Sequence, residues 1–99
     1  MLLIVGTIRL PADGVAAALP AMRAMVQASR AEPGCIEYAY AQDVLDAGLI
    51  HVHELWRSQD DLDRHFASAH IAQWRALWPA LGIGGRELRA YAVGAPCPV

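Results

Sequence analysis

The stop at Glu32-Pro33-Gly34 constrains this chain more than any other feature, because the apolar period changes across it. Upstream, from about Val15 to Arg30, Leu19, Met22 and Val26 recur with the small Ala18 and Ala28 at helical spacing, and Arg23, Gln27 and Arg30 take the other side. Downstream the period falls to two. Cys35 to Gln42 sets Ile36, Tyr38 and Tyr40 against Cys35, Glu37, Ala39 and Ala41, and Leu49 to Arg57 sets Ile50, Val52, Glu54 and Trp56 against Leu49, His51, His53 and Leu55. Proline cannot continue the helix and glycine accepts a positive φ, so a helix must end here and a hairpin begin, with Asp43 to Gly48 as its loop.

The flanks complete the order. Residues 2 to 10 are rich in Leu, Ile and Val and read as a strand that Pro11-Ala12-Asp13-Gly14 breaks. Pro20 predicts either a kink in the first helix or an ordered helix that starts there. After the hairpin, Ser58 suits an N-cap with Asp60 and Asp61 in the first turn, and Leu62, His65, Phe66 and Ala69 form an inward face. The pattern restarts near Ser68 to His70. His70, Ile71, Trp74, Trp78 and Leu81 then line one side of a further helical segment that Gly82, Gly84 and Gly85 end, and a last strand runs from about Arg86 to Val93.

Strand, helix, strand, strand, broken helix, strand is the order of a ferredoxin-like α+β fold, an antiparallel sheet with helices on one face. The chain has 99 residues, enough for one domain over 1–99 and for one helical layer. Nineteen alanines thin its core, so the other sheet face needs cover, and a second copy of the sheet is the natural one. The expectation is a homodimer in the form of a dimeric α+β barrel.

Absences narrow the chemistry. All eight basic residues are arginine, which removes Schiff-base and P-loop lysines, and Ser29, Ser58, Ser68 and Thr7 fit no nucleophile elbow. The net charge of -2 with scattered arginines leaves no footprint for nucleic acid or for an anionic membrane surface. Cys35 and Cys97 read as reduced. The first apolar stretch meets Arg9 well short of a membrane span, so the expectation is a cytoplasmic protein without a membrane segment.

Glu32-Pro33-Gly34-Cys35, then Glu54-x-Trp56-x-Ser58, then Leu62-x-x-His65-x-x-x-x-His70 occur in an order and spacing that resemble the antibiotic-biosynthesis monooxygenase (ABM) family, in particular its quinol monooxygenase branch. The resemblance spans nearly the whole chain. It implies oxygenation of an aromatic quinol, polycyclic phenol or anthrone-type substrate by molecular oxygen, with no metal, flavin or haem. It also implies a pocket between sheet and helices, floored by residues such as Trp56 and roofed by His65, His70 and Trp74. A haem-degrading branch characteristically carries an Asn on the first strand and a Trp on the second helix. This chain has no Asn, and His65 takes the helix position.

Within that expectation His65 is the first candidate for a general base, since imidazole titrates near working pH and this one lies inward beside Leu62 and Phe66. Alternatively it is a structural histidine bonded to backbone or to Glu54. His70 is a second candidate, or a group that locks the break between helices. Glu54 could orient an imidazole or pair with a surface arginine. Trp56, Phe66, Trp74 and Tyr38 are the candidate substrate walls, although helix-spaced tryptophans also serve as plain core. His65 and His70 are five apart, about 140° around a continuous helix, which argues against a metal. His51 and His53 share a strand face and are expected at a dimer interface. Two other readings keep the fold: an isomerase of a small hydroxycarbonyl compound, and a small-ligand-binding module without catalysis.

Overall fold

A computed structural model describes residues 1–99, in the order β1 (Leu2–Arg9), a single 3-10 turn (Ala12–Gly14), α1 (Val15–Arg30), β2 (Cys35–Gln42), β3 (Leu49–Trp56), α2 (Gln59–Phe66), α3 (Ala69–Ala76), α4 (Trp78–Leu81) and β4 (Gly84–Ala92). The four strands form one antiparallel sheet in the order β2-β3-β1-β4. The helices cover one face of it, so the expected ferredoxin-like α+β fold is present. None of them is long and apolar enough to cross a membrane.

Register decides which side chains face the helices. Leu2 lies opposite Trp56, Ile4 opposite Glu54, Gly6 opposite Val52 and Ile8 opposite Ile50, which puts the even-numbered residues of β1 and β3 on one side. Ile4, Ile8, Ile50, Val52, Glu54 and Trp56 are accordingly buried. The other face carries Leu3, Val5 and Leu55 without cover. It also carries His53 on Glu37 at 2.5 Å and His51 on Asp43 at 2.7 Å, exposed ion-pair contacts within one chain.

Three local expectations change. Helix α1 runs unbroken through Pro20 instead of starting there, and it buries Ala18, Met22, Met25 and Ser29. Leu19 is 45% exposed, because the buried stripe is rotated away from it. On β2, the pairing passes from Cys35 opposite Trp56 straight to Glu37 opposite Leu55, so Ile36 is the extra residue of a β-bulge. The bulge turns Ile36 outward, 48% exposed, and leaves Tyr38 and Tyr40 facing inward. The last helical stretch is two pieces, α3 and α4, ended by Gly82 in the left-handed region.

Gly34 fixes the approach of the Glu32-Pro33-Gly34 turn to α2. It has φ of 82°, and a Cβ there would stand 2.1 Å from the Asp61 side-chain carbon. Asp61 is held by its own helix start: Ser58 Oγ accepts from its backbone N–H and donates to its carboxylate, and Arg64 pairs with it. Gly34→Ala therefore combines left-handed strain with a collision against an anchored side chain. We expect a loss of at least about 2 kcal/mol of unfolding free energy in urea titrations.

Candidate functional site

The site is assembled by two interruptions of regular structure and one tie to the sheet. Helix α1 ends in Ala31, and the turn that follows carries Glu32 towards α2. The C-terminal end of α1 is tied to the sheet by Arg30, whose Nε donates to the Tyr38 carbonyl at 2.7 Å. Between α2 and α3 the backbone leaves the helix at Ser68, whose hydroxyl donates to the His65 carbonyl at 2.6 Å and accepts from the Ile71 N–H. That break redirects the chain.

His65 and His70 consequently converge on one carboxylate oxygen. Glu32 Oε1 lies 2.8 Å from His65 Nδ1 and 2.5 Å from His70 Nε2. The argument from a continuous helix against a metal fails for this reason, since donor atoms of Glu32, His65 and His70 all lie within 4.8 Å of one another. These three are the residues that could hold an ion. One ring nitrogen of each imidazole hydrogen-bonds the shared oxygen, as in the orienting carboxylate–imidazole pairs of many sites.

His65 is 1% exposed. Burial holds its pKa below the usual imidazole value, against the opposing pull of the Glu32 carboxylate. A neutral ring that donates from Nδ1 to Glu32 keeps its lone pair on Nε2, which lies 3.5 Å from the Tyr38 hydroxyl and 3.8 Å from Glu54 Oε1. Glu54 is buried and accepts from Trp56 Nε1 at 2.9 Å. Its pKa is pushed up to about 6, chiefly by burial, with the Trp56 hydrogen bond opposing. The surface ion pair considered for Glu54 does not form.

Next to these groups lies a narrow cavity of about 20 Å³ whose walls include Tyr38, Tyr40, Glu54, His65, Trp74 and Trp78. An open cleft of about 310 Å³ lies beside it and shares Phe66, Ile71, Arg75 and Arg86 as walls. Several expected positions shift. Trp56 is fully buried behind Glu54, with its ring 4.6 Å from that of His65, and it is core to the site instead of its floor. His70 reaches Glu32 and does not roof the cavity. Phe66 is 42% exposed at the rim. Tyr38 and Trp74 do line the cavity, and the Nε1 atoms of Trp74 and Trp78 are buried without an acceptor.

Sequence reasoning missed Glu32, Tyr40, Arg75 and Arg86. Glu32 looked like part of a helix stop, and only the break at Ser68 makes it the shared acceptor. The signal for Arg86 was its parity with Leu88 on the last strand, which places both on the helix side.

Burying an ionised Glu54 has a stability signature. Its folded pKa of about 6 exceeds the ordinary 4.5, so its contribution favours the fold below the unfolded value and is lost as pH rises from 4.5 through 6. That gap is worth about 2 kcal/mol. Glu54→Gln keeps an acceptor for Trp56 and removes the charge. We expect it to raise the thermal midpoint relative to wild type at pH 8 and to change it little at pH 4.5, read by calorimetry at both pH values.

Comparison with known proteins agrees with this fold. The sequence profile described as "Antibiotic biosynthesis monooxygenase" matches residues 1–77. A crystal structure of a candidate antibiotic biosynthesis monooxygenase from Deinococcus radiodurans superposes with a TM-score of 0.91 at 23% identity, over 100% of this chain and 98% of that one, a likeness of fold. A Pseudomonas aeruginosa protein of known structure reaches 0.82 at 28% identity over 95% and 94% of the two chains. An uncharacterized protein of Synechocystis sp. is 25% identical over 92 residues, 93% of this chain, which spans 63% of the length of that relative. With the family profile covering both the Glu32 turn and the two histidines, the chain belongs to the antibiotic biosynthesis monooxygenase family.

Proposed function

We propose that the protein is a cofactor-independent monooxygenase that oxidises an aromatic quinol, polycyclic phenol or anthrone-type substrate with molecular oxygen. The observation that carries this reading is the buried Glu32–His65 pair, which leaves the Nε2 lone pair beside the cavity, 3.5 Å from the Tyr38 hydroxyl. His65 is the base: Nε2 takes the acidic proton of the substrate, and Glu32 stabilises the imidazolium that results. Phe66 holds the ring in the open cleft with its acidic proton directed into the narrow cavity between Tyr38 and Trp74, while His70 steadies Glu32 from the outer side and Glu54 lies within reach as a second proton carrier.

The electron-rich anion then reacts with oxygen directly. For an anthrone-type carbon, CH₂ becomes C=O, one oxygen atom enters the product and the other leaves as water with the two hydrogens. Four electrons pass from substrate to oxygen, so no external reductant is required. Apolar walls keep the anion from being reprotonated by water. The same reading includes a homodimer in which the open sheet face, with Leu3, Val5 and Leu55, covers its copy.

Oxygen uptake by chelator-treated protein against hydroquinones, naphthoquinols and anthrones tests the activity, with autoxidation subtracted. We expect His65→Ala to lower kcat by about a hundredfold or more. Glu32→Gln, which can still accept from Nδ1, should lose less. The rate should hold towards pH 8, should fall as pH drops through about 6, where Glu54 takes up a proton, and should fall further once His65, whose pKa burial lowers, is protonated. Uptake abolished by chelation and restored by a metal would contradict the cofactor-free reading and move the role of Glu32, His65 and His70 to ligation. Isomerisation or binding without oxygen uptake would contradict the activity class.

A further inference from the structure

Several donors around the cleft lack a full partner. Arg75 and Arg86 wall both the cleft and the cavity, and neither has a carboxylate within ion-pair distance, as is true of every arginine here except Arg9 and Arg64. Each guanidinium is held over an aromatic ring, Arg75 at 5.8 Å from Trp78 and Arg86 at 5.9 Å from Phe66, contacts that position a cation without neutralising it. The indole N–H groups of Trp74 and Trp78 are buried on the same wall without acceptors, and Trp74 is 3% exposed. Tyr40 lies close enough to feel the Trp74 N–H but does not complete a hydrogen bond with it.

Unpaired buried donors are costly unless a ligand completes them. Two exposed guanidinium groups, Arg75 on α3 and Arg86 on β4, and two buried indole N–H groups near the His65 base suit a molecule with an acidic group at one end and an ionisable hydroxyl at the other. We propose that Arg75 and Arg86 form a carboxylate subsite, so that the substrate is an acidic aromatic, a hydroxyarene bearing a carboxylate, with one of its oxygens accepting from Trp74. This deepens the proposed function and rests on it for the orientation of the hydroxyl towards His65. The carboxylate binds between the guanidinium groups in the cleft, and the ring enters past Phe66, whose exposed position at the rim leaves it room to turn aside. Arg86 also acts on Glu54, helping to hold its pKa down, yet it makes no ion pair with it, which leaves the guanidinium available to a ligand.

Binding of 6-hydroxy-2-naphthoate and of its neutral methyl ester, followed by calorimetry and by tryptophan fluorescence without turnover, tests the subsite. The acid should bind at least about tenfold tighter than the ester, the advantage of charge-assisted hydrogen bonds. The Arg75→Gln, Arg86→Gln double variant should bind both alike, the corresponding double Lys variant should recover part of the preference, and Arg23→Gln on the exposed side of α1 should leave it intact. Equal binding of acid and ester to the wild type would overturn the proposal, as would a preference that survives the double variant or disappears with Arg23→Gln. Acid-selective binding without oxygen uptake from either compound would uphold the subsite and count against the monooxygenase; uptake without acid selectivity would do the reverse.

Discussion

The hydrogen bond from His65 to Glu32 is the interaction on which the site depends. It joins residues 33 positions apart in sequence, and it fixes which nitrogen of a buried imidazole keeps a lone pair. Everything nearby serves that geometry. Arg30 anchors the end of α1 to β2, Gly34 lets the turn pass tight against Asp61, and Ser68 breaks the helical path so that His70 can bind Glu32 from the other side. Without the carboxylate, burial alone would still keep His65 neutral, but nothing would select its tautomer.

The second constraint is electrostatic. Glu54 and His65 both sit at about full burial, and burial presses each towards its neutral form: Glu54 is pushed up and His65 down. The two groups face each other across 3.8 Å, and burial disfavours the charged form of each. The Trp56 N–H on Glu54 holds that carboxylate in place, so a tryptophan outside the cavity still shapes its chemistry.

Much of the fold was legible because period and punctuation agree. Alternation on β3 gave Ile50, Val52, Glu54 and Trp56 as one buried face, and the cap at Ser58 gave the start of α2. Ile36 and Leu19 were misplaced for two different reasons. A bulge adds a residue that alternation cannot register, and a helix with many alanines has no single apolar stripe for the period to find. For the site, the inward histidine was readable from its neighbours on α2. Glu32 and the arginines were not, because their meaning arises only where the turn, the helix break and the last strand meet in space. The metal argument failed in the same way: helical spacing was applied across a break that Ser68 introduces.

Heteronuclear NMR of the imidazole nitrogens tests the central claim most directly. The account predicts that His65 at pH 7 is a neutral ring with its proton on Nδ1 and a bare, high-shift Nε2, and that Glu32→Gln weakens this preference. An imidazolium at pH 7, or a neutral ring protonated on Nε2, would contradict it, because neither form presents a lone pair to the cavity.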